Sequence, residues 1–260
     1  MNRPDPDLIK ANHSLAQRFT VVVFLVPLVV LTLLFWLVFP WWLAIVFSLV
    51  LAAGYVAWRL GGAEQRLASA VGGSELAEFG EPHLGAARLA NLVEGLAASA
   101  GVREPSLYLI DDPALNALVV GRSDDRACLM VTTGMVDALE RVELEAVIAQ
   151  LLVQIRTADV VPRTVGAALL APLASVVPGL YSRAIGSIVD RDRRFRNDAL
   201  GASVTRYPPG LVAAYERINS ANFNPASSPQ VAAHLWLVGN GSASSTHPAT
   251  ETRIAALREL

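Results

Sequence analysis

A single cysteine, Cys128, occurs in 260 residues, so the chain has no internal disulfide and no cysteine-based zinc cluster. Followed by Leu129-Met130-Val131, Cys128 reads as a small core residue of a strand, with a reactive thiol as the alternative. Charge is scarce as well. Charged residues make up 17% of the chain against 53% hydrophobic, and the net charge of −2 lacks the basic excess of a nucleic-acid partner. There is no GxSxG elbow for a serine nucleophile, no internal repeat and no low-complexity tract. The only histidines are His13, His83, His234 and His247, with no short fixed spacing among them, so His234 and His247 are weak metal candidates.

The longest absence is of charge between Phe19 and Trp58. One helical span needs about 20 apolar residues, so this stretch has length for two. Phe39-Pro40-Trp41-Trp42 supplies a breaker and interfacial aromatics at its middle. The expectation is a transmembrane helical hairpin at 19–58, Phe19 to Val38 and Trp41 to Trp58, after an N-terminal segment at 1–18. The run is too long for a cleavable signal peptide. Arg3, Lys10 and Arg18 precede the hairpin and Arg59 and Arg66 follow it, which places both ends, and the main domain, on the cytoplasmic side of the cell membrane.

Beyond a linker at 59–83, in which Ala63 to Gly80 reads as a short helix followed by a flexible joint, the remainder reads as one domain at 84–260. Leu89, Leu92, Val93 and Leu96 give helical spacing that stops at Gly101. Ser106 to Ile110 and Ala127 to Thr132 read as strands separated by turn-rich segments. Residues 160–189 are apolar, rich in small residues and broken by Pro172 and Pro178-Gly179, with Arg163 and Arg183 as the only basic interruptions. Too short for two crossings, this excursion is expected to be buried in the domain, with a dip into the cytoplasmic leaflet as the alternative. Further helices are expected from Gly210 to Asn219 and at the C-terminus.

The domain is organised around VELEAVIAQLLVQIR, Val142 to Arg156. Leu144, Val147, Ile148, Leu151, Leu152 and Ile155 lie on one helical face, with Glu143 and Glu145 in the first turn and Arg156 in the last. Between Ala146 and Ile155 the only polar side chains are Gln150 and Gln154, four residues apart on one face. Buried amides need partners, so another element must supply them.

LEAVIAQLLVQIR resembles the zinc-binding helix LEAVLAHELAHIR of the HtpX-like membrane zinc metalloendopeptidase family. NALVVGR (Asn116 to Arg122) and VTTGMVDAL (Val131 to Leu139) resemble that family's NAFATGR and VTTGLLDLL, the strand edge over the cleft and the turn into the next helix. DRDRRFRNDALGASV (Asp190 to Val204) matches its RExEFxADxxA helix, and THPATETRIAALREL its terminal THPpxxxRIaaLrxL. The resemblance implies an α+β fold, a mainly helical zincin-like peptidase domain with a small β-sheet. In such a site two histidines and a glutamate hold zinc, which activates water, while a second glutamate moves the proton.

At those positions this chain has Gln150, Leu151, Gln154 and Arg194; Asp198 keeps the aspartate behind the ligands. Neither ligands nor general base remain, so the expectation is a zinc-free pseudopeptidase without a catalytic residue. Arg194 is expected to stand in for the metal by donating to the carbonyl oxygens of Gln150 and Gln154. Asn116, Ala117 and Leu118 form a strand edge that could hold an extended peptide by strand addition, a mode that needs no metal. The expected partners are membrane lipids and either polypeptide segments or a membrane protein, in regulation or quality control. Two alternatives are kept: an active endopeptidase with an unconventional metal site at His234 or His247, and a structural membrane subunit.

Overall fold

The computed structural model describes residues 5–76, 84–221, 223–239 and 246–260. Two long apolar helices come first, α1 (Pro6–Trp36) and α2 (Trp41–Leu60), each long and apolar enough to cross a membrane. Asp5 caps α1 through its side chain, and Phe35 packs edge-on against Phe39 and Phe47 across the turn between the two. Val26, Leu33 and Val50 stay exposed along them. Residues 6–18, expected as part of a segment ahead of the hairpin, form the first turns of α1. The reason is docking: Asn12 is buried and its Nδ2 donates to the carbonyl of Thr157 at 2.9 Å.

Residues 59–76, read as linker, hold α3 (Ala63–Ala70) and a three-residue strand β1 (Gly73–Glu75). The strand was not legible because its polar, exposed side chains show no apolar alternation. His83 lies outside the described residues. Then come α4 (Leu84–Ala100), β2 (Ser106–Ile110), β3 (Ala117–Gly121), β4 (Ala127–Thr132) and α5 (Thr133–Ala138). The sheet order is β1-β2-β4-β3, with β2 parallel to β4 and the outer strands antiparallel to their neighbours. One face, including Leu109, Val119 and Leu129, joins the main core with α4 and the central helix. The other, with Tyr108, Leu118, Cys128 and Met130, packs on Leu67, Val71 and Trp236. Cys128 is a buried core residue of this face, and burial first, then Glu64 and Glu75, pushes its thiol up to about 12.

The central helix is α6 (Arg141–Arg156), started by Glu143, whose Oε2 accepts from the backbone N–H of Glu140 at 2.8 Å. At its end Ala158 takes a left-handed φ of 55° and turns the chain into α7 (Val160–Val176), followed by α8 (Pro178–Gly186). Next come α9 (Arg193–Thr205), α10 (Pro208–Ser220) and α11 (Thr250–Arg258). Ala249 holds the N-cap position of α11, and the Thr252 hydroxyl donates to its carbonyl at 2.6 Å. α9 crosses α6 at Gly201, where an added Cβ would sit 2.7 Å from the Gln150 Cα. Only glycine lets the two backbones approach that far, and this contact sets the site.

Candidate functional site

Gln150, Leu151, Gln154, Arg194 and Asp198 come together at the crossing of α6 and α9, all buried. Leu151 is part of the main hydrophobic core. The two glutamines form a chain: Gln154 Nε2 donates to Gln150 Oε1 at 3.0 Å, and Gln150 Nε2 donates to Asp198 Oδ1 at 3.2 Å. The cation that closes this chain is not Arg194. Arg163, on the first turns of α7, donates from Nη1 to Gln154 Oε1 at 2.5 Å. At the other end Arg253 of α11 forks onto Asp198, with Nη2 to Oδ1 at 2.7 Å and Nε to Oδ2 at 2.8 Å, and Tyr215 donates to Oδ1 at 2.8 Å.

Arg194 instead binds backbone. Its Nη2 donates to the His234 carbonyl at 2.9 Å, Nη1 to those of Trp236 and Leu237 at 3.0 and 3.2 Å, and Nε to that of Thr246 at 2.9 Å. Four carbonyls satisfy a guanidinium that has no carboxylate partner among the described residues, since Asp198 is taken by Arg253 and Asp159 by Arg163 and Arg193. That occupancy is the physical reason the expected contact of Arg194 with the glutamines is not made.

The segment that Arg194 holds lies on the β3 edge. Trp236 bridges Leu118 in antiparallel fashion, and the Leu237 N–H donates to the Ala117 carbonyl at 2.7 Å. The Asn116 side chain completes the seal: Nδ2 donates to the Val238 carbonyl at 2.9 Å, and Oδ1 accepts from the Val238 N–H at 3.3 Å. Asn116, Ala117 and Leu118 are therefore buried, and the edge expected to be open is paired by the chain's own residues.

His234 and His247 do come near this centre, but both ring nitrogens of each already have partners. His234 Nε2 faces the Arg163 carbonyl at 3.2 Å and Nδ1 the Tyr181 hydroxyl at 3.4 Å. His247 Nε2 faces the Trp236 carbonyl at 2.9 Å and Nδ1 the Thr246 hydroxyl at 3.0 Å. Burial, reinforced by the Arg163 charge, lowers His234 to about 3; burial and Arg194 depress His247 well below the usual imidazole range. Both rings are neutral at pH 7. Desolvation, and after it Arg163 and Arg253, likewise pulls Arg194 well below the usual guanidinium value.

These residues do not fit a zinc ion. Among the described residues no three His, Cys, Asp or Glu side chains converge as a ligand set. Two neutral amides and three buried guanidinium groups occupy the place instead. A divalent cation about 4 Å from one such group would be repelled by roughly 8 kcal/mol at an effective dielectric of about 20. Sequence reasoning missed Arg163 and Arg253. The signal was there for the first, a lone charge inside the apolar helix Val160–Val176, which in a buried helix must be partnered.

The helix pair, the small sheet beside it and the apolar helices before it define a membrane-associated protein with a zincin-like peptidase domain. Residues 83–260 match the model of peptidase family M48, and the chain belongs to that family, among its HtpX-like members. It is 34% identical to the Protease HtpX homolog of Dictyoglomus thermophilum over 209 residues, which cover 66% of this chain and 69% of the relative. The Protease HtpX homolog of Tropheryma whipplei strain Twist is 29% identical over 256 residues, 82% and 84% of the two chains. That of Salinibacter ruber is 30% identical over 206 residues, 67% and 75%.

Proposed function

We propose that this chain is a pseudopeptidase: a membrane-anchored M48 homologue, its domain on the cytoplasmic side, that binds a polypeptide or membrane partner and does not hydrolyse it. The observation that carries the reading is the Arg163–Gln154–Gln150–Asp198–Arg253 chain, in which the amides at two ligand positions are engaged with each other and with Arg163, and the nearby carboxylate Asp198 is engaged by Arg253. Leu151, at the general-base position, is core. A partner that pairs with the β3 edge would have to displace Trp236–Val238 from it.

The test is elemental analysis of detergent-purified protein after dialysis against micromolar zinc, together with cleavage of an unfolded protein such as casein, and His234→Ala and His247→Ala alongside. Zinc far below one per chain and no cleavage are expected. Stoichiometric zinc, lost in either histidine variant and accompanied by cleavage, would overturn the reading in favour of an unconventional peptidase site.

A further inference from the structure

α7 and α8 form a helical hairpin whose tip leaves the domain beside the apolar helices. At its start, Asn12 of α1 donates to the Thr157 carbonyl at 2.9 Å. Further along, Arg59 Nε of α2 donates to the Ala168 carbonyl at 2.8 Å and the Tyr55 hydroxyl to the Leu169 carbonyl at 2.6 Å. Around and beyond that level, Leu170, Ala174, Tyr181 and Ile185 cluster against Phe19 and Val23 of α1 and against Val231, whose carbonyl accepts from the Tyr181 hydroxyl at 2.8 Å. α7 thus advances along α1 in the same direction, passing Arg59, the first charge after the uncharged run, at Ala168.

From Ala168 to Val176 the helix rises about 12 Å at 1.5 Å per residue. The hydrocarbon core of a bilayer is about 30 Å thick, so this reaches into one leaflet and stops short of the midplane. At the tip Val176, Val177 and Leu180 are exposed by 77%, 45% and 51%. No charged residue lies between Arg163 and Arg183. The turn also meets the backbone demand that lipid imposes: Pro178 brings no N–H, the Val177 N–H donates to the Leu173 carbonyl at 2.8 Å, and the Val177 carbonyl accepts from Leu180 and Tyr181. Arg183, at the end of α8, is placed to reach back to the phosphates.

We propose that the α7–α8 tip is a re-entrant wedge whose Val176, Val177 and Leu180 side chains sit among the acyl chains of the leaflet on the domain's side. The tip is continuous with the exposed apolar faces of α1 and α2, which is what selects lipid as its occupant. The inference rests on the reading of α1 and α2 as a membrane-spanning hairpin, and its test separates the two.

Leu180→Cys, Leu33→Cys in α1 and Ser99→Cys on the exposed side of α4 are each labelled with an environment-sensitive fluorophore. Buried Cys128 stays unlabelled. The full chain is placed in phosphatidylcholine–phosphatidylglycerol liposomes and quenched with iodide in the water or with doxyl-labelled lipids carrying the spin label near the headgroup or near the chain end. The expected result is loss of the Leu180-site signal to doxyl lipid, more to the shallow label than the deep one, and none to iodide; the Leu33 site responds to doxyl lipid and the Ser99 site to iodide. Iodide quenching at Leu180 with doxyl quenching at Leu33 overturns the wedge and leaves the hairpin standing. Protection of the Leu180 site from both quenchers also overturns it, in favour of a protein covering the tip, and iodide quenching at Leu33 overturns both readings.

Discussion

Arg163 Nη1 stands 2.5 Å from Gln154 Oε1, so the guanidinium occupies the side of α6 on which a zinc-binding helix would present its ligands. The loss of metal chemistry is thus not confined to the four replaced positions. Reverting Gln150→His, Leu151→Glu, Gln154→His and Arg194→Glu together is expected to leave the protein poor in zinc, because Arg163 stays. Adding Arg163→Ala should raise zinc towards one per chain. Elemental analysis decides between them, and full loading of the fourfold variant alone would show that Arg163 is no obstacle.

Arg194 ties down a segment by its carbonyls, and its removal should free that segment before it unfolds the domain. Hydrogen bonds to a charged group contribute roughly 1.5–3 kcal/mol each, offset here by the relief of a buried cation without a carboxylate. Arg194→Ala is expected to lower stability by about 2–3 kcal/mol and to speed hydrogen exchange at the Leu237 and Val238 amides, which pair with Ala117 and Asn116. Unchanged exchange at those two amides would show that the edge is closed without Arg194.

His234 makes the domain sensitive to acid. Its folded value, about 3, lies below the ordinary imidazole value of 6.5, so the unfolded chain binds the proton that the folded one refuses. Its contribution is complete above pH 6.5 and is lost as pH falls towards 3. Between pH 7 and pH 5 one such group costs about 2 kcal/mol. Urea unfolding at the two pH values should show that loss in the parent and a smaller one in His234→Gln.

Gly201→Ala tests the helix crossing. The new methyl would meet the Gln150 Cα at 2.7 Å and its backbone N at 3.0 Å, and backbone cannot swing aside as a side chain can. Overpacking of this kind costs about 1–3 kcal/mol, and the melting temperature should fall accordingly. A variant as stable as the parent would mean that α9 can shift on α6 freely.

Local spacing made much of the fold readable. The apolar face of α6 and the two glutamines that needed partners come from a period of 3.6 residues, and the two apolar helices from the length of the uncharged run between Phe19 and Trp58. The identity of the partner was not readable in this way. Arg163 reaches Gln154 because Ala158 adopts a left-handed conformation that folds α7 back, and alanine carries no sequence signal for such a turn. The strand edge at Asn116 to Leu118 was legible as a strand, but its closure was not, because the residues that cover it come more than a hundred positions later and contain only one bridging pair. Asp198 was legible from its motif; that Arg253 would hold it required the last helix to be in place.

The same distance along the chain gives the β3 edge a history. Asn116 and Val238 are 122 residues apart, and Arg194 must already be present to grip the covering segment as it arrives. At a synthesis rate of about 5–20 residues per second, roughly 6–24 s pass between the emergence of the edge and that of its cover. During that interval the β3 edge lacks the segment that pairs with it in the finished protein.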